Sequence, residues 1–408
     1  MNIKLHHLSQ VANGTLNITG SKSESNRLLV LQALFPQIEI QNLSNSDDSK
    51  ATQEGLNSED DIIDIYHAGT AMRFLTAYFA TRPDKEIVLT GSQRMQERPI
   101  KLLVEALNSL GADITYQKEV GFPPLKIKGK EISKNLVSLP ANISSQYITA
   151  LMLIAPSLKR GLKIDLIGET TSVPYIKMTQ SIMDKLGLET AFDGGKITIQ
   201  PQSSIEPISW NVESDWSSAS YFYSIVALAA ESEITLNNYS EESKQGDAAL
   251  SIIYKKLGVK TIYIDGKIKL TKLVGFTPPS YISLNLKNTP DLAQTIAVTC
   301  LGMHVQCNLT GLHTLKIKET DRLIALKIEI EKLGAKVNIT DTSFELINSS
   351  QINRNISIDT YNDHRMAMAF APLGLKVPIT INNAEVVSKS YPSFWDDLNR
   401  IDFDQNIF

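Results

Sequence analysis

Cysteine is nearly missing from this chain of 408 residues: only Cys300 and Cys307 occur, with no CxxC or other metal-type spacing. That excludes a disulfide framework and a thiolate-built metal site, and both cysteines read as buried, reduced thiols. Long apolar runs are also missing. The longest, such as 148–156, fall far short of the roughly 18 residues of a membrane span, and the first eight residues lack the apolar core of a signal peptide. Charge of one sign is not in excess, since 40 Lys and Arg face 44 Asp and Glu for a net −4. A dedicated nucleic-acid binder carries a basic footprint that this chain lacks. No Gly-x-x-x-x-Gly-Lys loop, low-complexity tract or coiled-coil heptad is present. The expectation is a cytoplasmic monomer with no metal, no cofactor, no nucleic acid and no membrane among its partners.

What is present is an internal repeat. Residues 102–114, 178–190, 250–262 and 326–339 each run as a helical apolar pattern, break at a Leu-Gly pair and resume as an alternating strand. The Leu-Gly pairs, at 110/111, 186/187, 257/258 and 333/334, are roughly 70–76 residues apart. Glycine there supplies a left-handed helix cap. Three of the four segments follow a short apolar strand that closes in a glycine, at Gly91, Gly168 and Gly311. At about one domain per 150 residues, the length allows two or three domains. The best internal boundary lies near Asn211-Val212-Glu213, which leaves matching repeats on either side.

Charged residues concentrate in the polar loops of these repeats. Gly20-Ser21-Lys22-Ser23-Glu24-Ser25-Asn26-Arg27 follows a strand pattern at 15–19 and leads into the apolar run 28–34, which reads as a helix. A glycine turn, serine hydroxyls and two cations at a helix start form an anion cradle. Similar loops recur at Ala68-Gly69-Thr70-Ala71-Met72-Arg73, where Thr70 reads as a cap, and at Glu97-Arg98-Pro99. Others are Ser144-Ser145-Gln146, Lys318-Glu319-Thr320-Asp321-Arg322, Asn362-Asp363-His364-Arg365-Met366 and Lys389-Ser390-Tyr391-Pro392. Taken singly, each has a plain reading: Glu319 and Arg322 as a surface i,i+3 pair, Asp363 as a helix cap. Together they set cations near several helix starts, where the macrodipole disfavours them. Bound anions would offset that, so the joint reading is a small substrate with several negative charges.

These motifs, in this order and over residues 14 to about 398, resemble the 5-enolpyruvylshikimate-3-phosphate (EPSP) synthase family. Lys318-Glu319-Thr320-Asp321-Arg322 and the run from Asn362 to Met368 are its most specific signatures. The resemblance implies an α/β (α+β) fold of two similar lobes, each built from three βαβαββ repeats around buried helices. It implies a discontinuous C-terminal lobe of residues 1–20 plus 213–408 and an N-terminal lobe of 21–212, with the active site in the cleft between them. It implies transfer of the enolpyruvyl group of phosphoenolpyruvate to the 5-hydroxyl of shikimate 3-phosphate. Lys22, Gly69, Arg98, Gln146, Arg322, Arg365 and Lys389 would then surround phosphoenolpyruvate. Lys22, Ser23, Arg27, Ser144, Ser145, Gln146, Ser172, Tyr175, Asp291 and Lys318 would hold shikimate 3-phosphate. Asp291 would be the base and Glu319 a proton relay, with Lys22 a competing acid.

Several positions depart from the commonest family pattern: His67, Phe74, Thr314 and Lys316. They bear on substrate affinity and on the expected sensitivity to glyphosate, the family's inhibitor, because Phe74 could displace the helix behind Gly69. One rival is the enolpyruvyl transferase acting on UDP-N-acetylglucosamine, which usually carries a reactive loop cysteine. Another is a repeat protein that binds phosphorylated metabolites without turning them over.

Overall fold

The computed structural model describes residues 1–408 except Ile143, Glu169, Thr171, Ser172 and 348–350. Among the described residues the strands form five four-stranded sheets and one of two strands. The four-stranded sheets share one pattern. Ile62–Asp64 runs parallel to Glu86–Thr90, which pairs antiparallel with Leu125–Lys128, itself antiparallel to Asp113–Tyr116. The helices Gly69–Ala80 and Lys101–Leu110 lie between these strands in the chain, giving the order βαβαββ. The sheets beginning at Leu136–Pro140 and Tyr281–Asn285 repeat it.

The two remaining four-stranded sheets are assembled from distant parts of the chain. Val11–Leu16 runs parallel to Glu231–Asn237, so one repeat is interrupted after its first strand. Ile3–His6 lies between Ile379–Ile381 and Asp404–Ile407, antiparallel to both. The sixth sheet is reduced to a parallel pair, Ile38–Gln41 with Ile208–Asn211.

The chain divides into two compact units, Met1–Thr19 with Glu213–Phe408, and Gly20–Val212. Each has its own apolar core. Sequence pattern decides which helices are central. Ala293–Gly302 carries no charged residue and is buried at all ten positions, whereas Lys101–Leu110 buries one stripe, Leu103, Val104, Ala106, Leu107 and Leu110. Ala293–Gly302 packs with Trp216–Leu228 and His364–Phe370 at the centre of the first unit. Lys22–Leu34, Gly69–Ala80 and Ser145–Ile154 do the same in the second.

The four Leu-Gly breaks behave as expected: Gly111, Gly187, Gly258 and Gly334 are left-handed at φ of 113°, 77°, 83° and 97°. The fourth strand end, which lacks a glycine, is closed by Asn238 at φ 62°. Asparagine tolerates that conformation better than other side chains, so the same turn is made by another residue. The opening strand is Val11–Leu16 rather than 15–19. Cys300 and Cys307 are fully buried free thiols. No described helix is long and apolar enough to cross a membrane.

Candidate functional site

In Gly20–Val212 the helix starts at Lys22, six residues ahead of the apolar run that predicted it. The Ser21 hydroxyl accepts from the Glu24 amide and fixes that start. Lys22, Ser23 and Arg27 therefore stand on a helix and not on a loop. Gly20 admits no side chain, since a Cβ there would fall 1.9 Å from the Asn42 carbonyl oxygen. Lys22 Nζ lies 2.8 Å from Asp48 Oδ2, a buried carboxylate that the motifs did not single out. Arg27 donates to Thr179 Oγ1 at 2.8 Å, to the Ser23 carbonyl at 2.6 Å and to Thr149 Oγ1 at 3.3 Å. It also faces the Tyr175 and Phe74 rings, each 5.9 Å away. Burial lowers its pKa to about 10, against a smaller opposing pull from Tyr175 and Glu24.

Gly69 opens the helix Gly69–Ala80, behind Ala68 as cap. Thr70 does not cap it; its hydroxyl accepts instead from Gln146 Nε2 at 3.2 Å. A Cβ on Gly69 would meet Arg98 Nη1 at 2.6 Å, so Arg98 packs directly against this glycine. Ser144 caps the helix Ser145–Ile154 by accepting from the Gln146 amide. Arg73 is buried and donates to the Gly69 and Pro99 carbonyls, tying the start of its own helix to the segment at Pro99. Phe74 is a core residue. Gly69, Arg98, Gln146 and Ser144 are thus joined, and Arg27 is linked to their neighbourhood through Thr149. Ser172 lies outside the described residues.

In the other unit, Arg322 is the hub. It opens the helix Arg322–Lys332 under the cap of Asp321 and is 2% exposed, so the surface-pair reading of Glu319 and Arg322 does not hold. Three carboxylates surround its guanidinium: Asp363 at 2.6 and 3.2 Å, Glu319 at 2.8 Å and Asp291 at 2.8 Å. Asp363 also accepts from the Arg365 amide, so it caps a helix and binds Arg322 at once. Lys389 Nζ lies 3.1 Å from Glu319 Oε1. Arg365 Nη2 lies 3.2 Å from Asp291 Oδ2, and Lys318 Nζ lies 3.6 Å from Asp291 Oδ1. Four cations and three carboxylates are interlocked. The departures lie nearby in sequence: Lys316 pairs with exposed Asp341, and the Thr314 hydroxyl is buried with no hydrogen-bond partner among the described residues.

The electrostatics follow from this crowding. Burial would raise the Asp291 pKa, but Arg365, then Lys318 and Arg322, reverse this and hold the carboxyl well below its usual range. Burial pulls Arg322 down, while Asp363, Glu319 and Asp291 more than restore it. Burial lowers Lys318 against the pull of Asp291. An incoming anion that draws Arg365 or Lys318 away would return basicity to Asp291. The cluster can therefore take up negative charge and release a base in the same event.

A family model described as EPSP synthase (3-phosphoshikimate 1-carboxyvinyltransferase) matches residues 53–398. A 3-phosphoshikimate 1-carboxyvinyltransferase from Bacteroides fragilis is 43% identical over 394 residues, covering 95% of each chain. One from Haemophilus influenzae is 35% identical over 424 residues, covering 95% of this chain and 96% of that one. EPSP synthase from Acinetobacter baumannii superposes with a TM-score of 0.81 at 20% identity, over 100% of both chains. The enolpyruvyl transferase NikO from Streptomyces tendae does so with a TM-score of 0.75 at 12% identity, over 99% of both. The structural likenesses show the two-lobe enolpyruvyl transferase fold, and the sequence matches go further: this chain belongs to the EPSP synthase family.

Proposed function

We propose that this chain transfers the enolpyruvyl group of phosphoenolpyruvate to the 5-hydroxyl of shikimate 3-phosphate and releases inorganic phosphate. The observation that carries the reading is the assembly of Asp291, Lys318, Glu319, Arg322, Arg365 and Lys389 into one interlocked, partly buried cluster. Two anionic substrates must be brought together, and arginine forks and lysine point charges offset their repulsion. In the addition step Asp291 removes the 5-hydroxyl proton while the oxygen bonds to the central carbon of phosphoenolpyruvate. The methylene carbon gains a proton, relayed by Glu319 or supplied by Lys22. In the elimination step that carbon loses a proton, the double bond re-forms and phosphate departs. A carboxylate pair suits these reversed roles when the two groups are tuned apart.

Within the same proposal, Lys22, Gly69, Arg98, Gln146, Arg322, Arg365 and Lys389 receive phosphoenolpyruvate. Ser23, Arg27, Ser144, Ser145, Tyr175, Asp291 and Lys318 receive shikimate 3-phosphate, with Lys22 and Gln146 touching both. A cytoplasmic monomer completes the reading, and sedimentation would show one 45.2 kDa species. The UDP-N-acetylglucosamine rival is disfavoured because both cysteines are buried in core elements, and contact with Cys307 together with burial raises the Cys300 thiol pKa.

Phosphate release with phosphoenolpyruvate and either acceptor decides the matter. Release with shikimate 3-phosphate alone is expected; release only with the nucleotide sugar, or binding without release, refutes the proposal. Lys22→Met should lose kcat beyond any rise in KM, and an unchanged kcat would remove Lys22 from the chemistry. Glyphosate should inhibit competitively against phosphoenolpyruvate.

A further inference from the structure

Arg365 has a second attachment that the motifs do not explain. Its Nη2 donates to Ser217 Oγ at 3.3 Å as well as facing Asp291. Ser217 stands in the first turn of the helix Trp216–Leu228, and its hydroxyl bonds Asp247 Oδ2. The directions of these bonds are forced. A guanidinium only donates, so Ser217 Oγ must offer Arg365 a lone pair. The hydroxyl has one proton, and that proton goes to Asp247. A carboxylate there turns the serine lone pairs toward Arg365.

Asp247 is otherwise a poor residue to bury. It is 5% exposed, and its Oδ1 has no hydrogen-bond partner among the described residues. Burying a carboxyl with one oxygen unsatisfied costs stability that an apolar residue would not. Nor is it the helix cap: Asp215 fills that role by accepting from the Ser218 amide at 2.7 Å. Among the described residues, its contact through the Ser217 hydroxyl leads to Arg365.

We infer that Ser217 and Asp247 form a positioning pair that aims Arg365, and that this pair sets the affinity of the site for the anionic group Arg365 receives. The inference rests on the function proposed above, with Arg365 facing phosphoenolpyruvate. One hydrogen bond to a charged group corresponds to about a tenfold change in affinity. Ser217→Ala and Asp247→Ala should each raise KM for phosphoenolpyruvate about tenfold, while KM for shikimate 3-phosphate stays within about twofold. Because both act through one contact, the double variant should be no worse than either single one. Asp247→Asn, which keeps an acceptor, should restore most of the affinity. Thermal melts taken alongside separate loss of fold from loss of aim.

An active wild-type protein whose variants leave the phosphoenolpyruvate KM unchanged, or shift both KM values equally, overturns the pair alone. So do effects of the two substitutions that simply add. A folded wild-type protein that releases no phosphate overturns the function and the pair together.

Discussion

The Asp247 carboxyl carries a pH dependence whose sign can be worked out. Burial, then the charge of Asp291, pushes its pKa up from 3.8 to about 6. Between those values the folded chain holds a proton that the unfolded chain has released, so stability falls as pH rises through this window. Asp247→Asn removes the titration. Its melting temperature relative to wild type should climb from pH 4 to pH 7, by the equivalent of at most about 3 kcal/mol. A constant difference across that range would refute the assignment. Gly69 gives a second test at this scale. Alanine is welcome in a helix, yet its Cβ would press on Arg98 at 2.6 Å. Gly69→Ala should leave the melting temperature within about 1 °C and raise KM for phosphoenolpyruvate at least about tenfold. The arginines and lysines of the site were legible because they recur at helix starts, where they need a reason to be. Asp48, Ser217 and Asp247 were not, because an aspartate or serine near a helix start already has a sufficient reason as a cap. Only the three-dimensional contacts separate Asp247, which aims a side chain, from Asp215, which caps.

Helix ends were the most readable elements, since Leu-Gly breaks combine an apolar period with a required left-handed residue. Two of them lead to different expectations. A Cβ at Gly187 meets nothing within 4 Å, so Gly187→Ala bears only the conformational penalty, about 1 kcal/mol. A Cβ at Gly258 would lie 2.4 Å from the Phe276 ring, so Gly258→Ala adds a steric clash and should cost more. Denaturant melts of the two variants would rank them, and equal losses would contradict the packing described. The strand end at Asn238 escaped notice because the turn is defined by a backbone conformation and glycine is only its commonest bearer. The start at Lys22 was missed for a related reason: Lys-Ser-Glu-Ser-Asn-Arg has no apolar period, and capping by Ser21 with burial of the helix decides its course.

At the scale of the whole molecule, two separate cores predict two separable units. Residues 20–212 expressed alone should give a single cooperative melt with helical circular dichroism, because their core draws on no residue outside that range. A fragment that stays unfolded would show that the division is only geometric. The pairing of strands distant in sequence was beyond the repeat pattern itself. Register between Val11–Leu16 and Glu231–Asn237 depends on which edges meet, and the apolar alternation of each strand would suit several partners.

The strand Ile3–His6 is made early and is flanked on both sides by strands from the far end of the chain, Ile379–Ile381 and Asp404–Ile407. At about 5–20 residues per second of synthesis, it waits roughly 20–80 s for both neighbours. During that interval Gly20–Val212 can finish folding while Ile3 and Leu5, core residues in the end, remain uncovered. A sheet that joins strands so far apart in the chain turns an early-made strand into one of the last to be paired. In the cell, that strand is where a holding chaperone would have the longest opportunity.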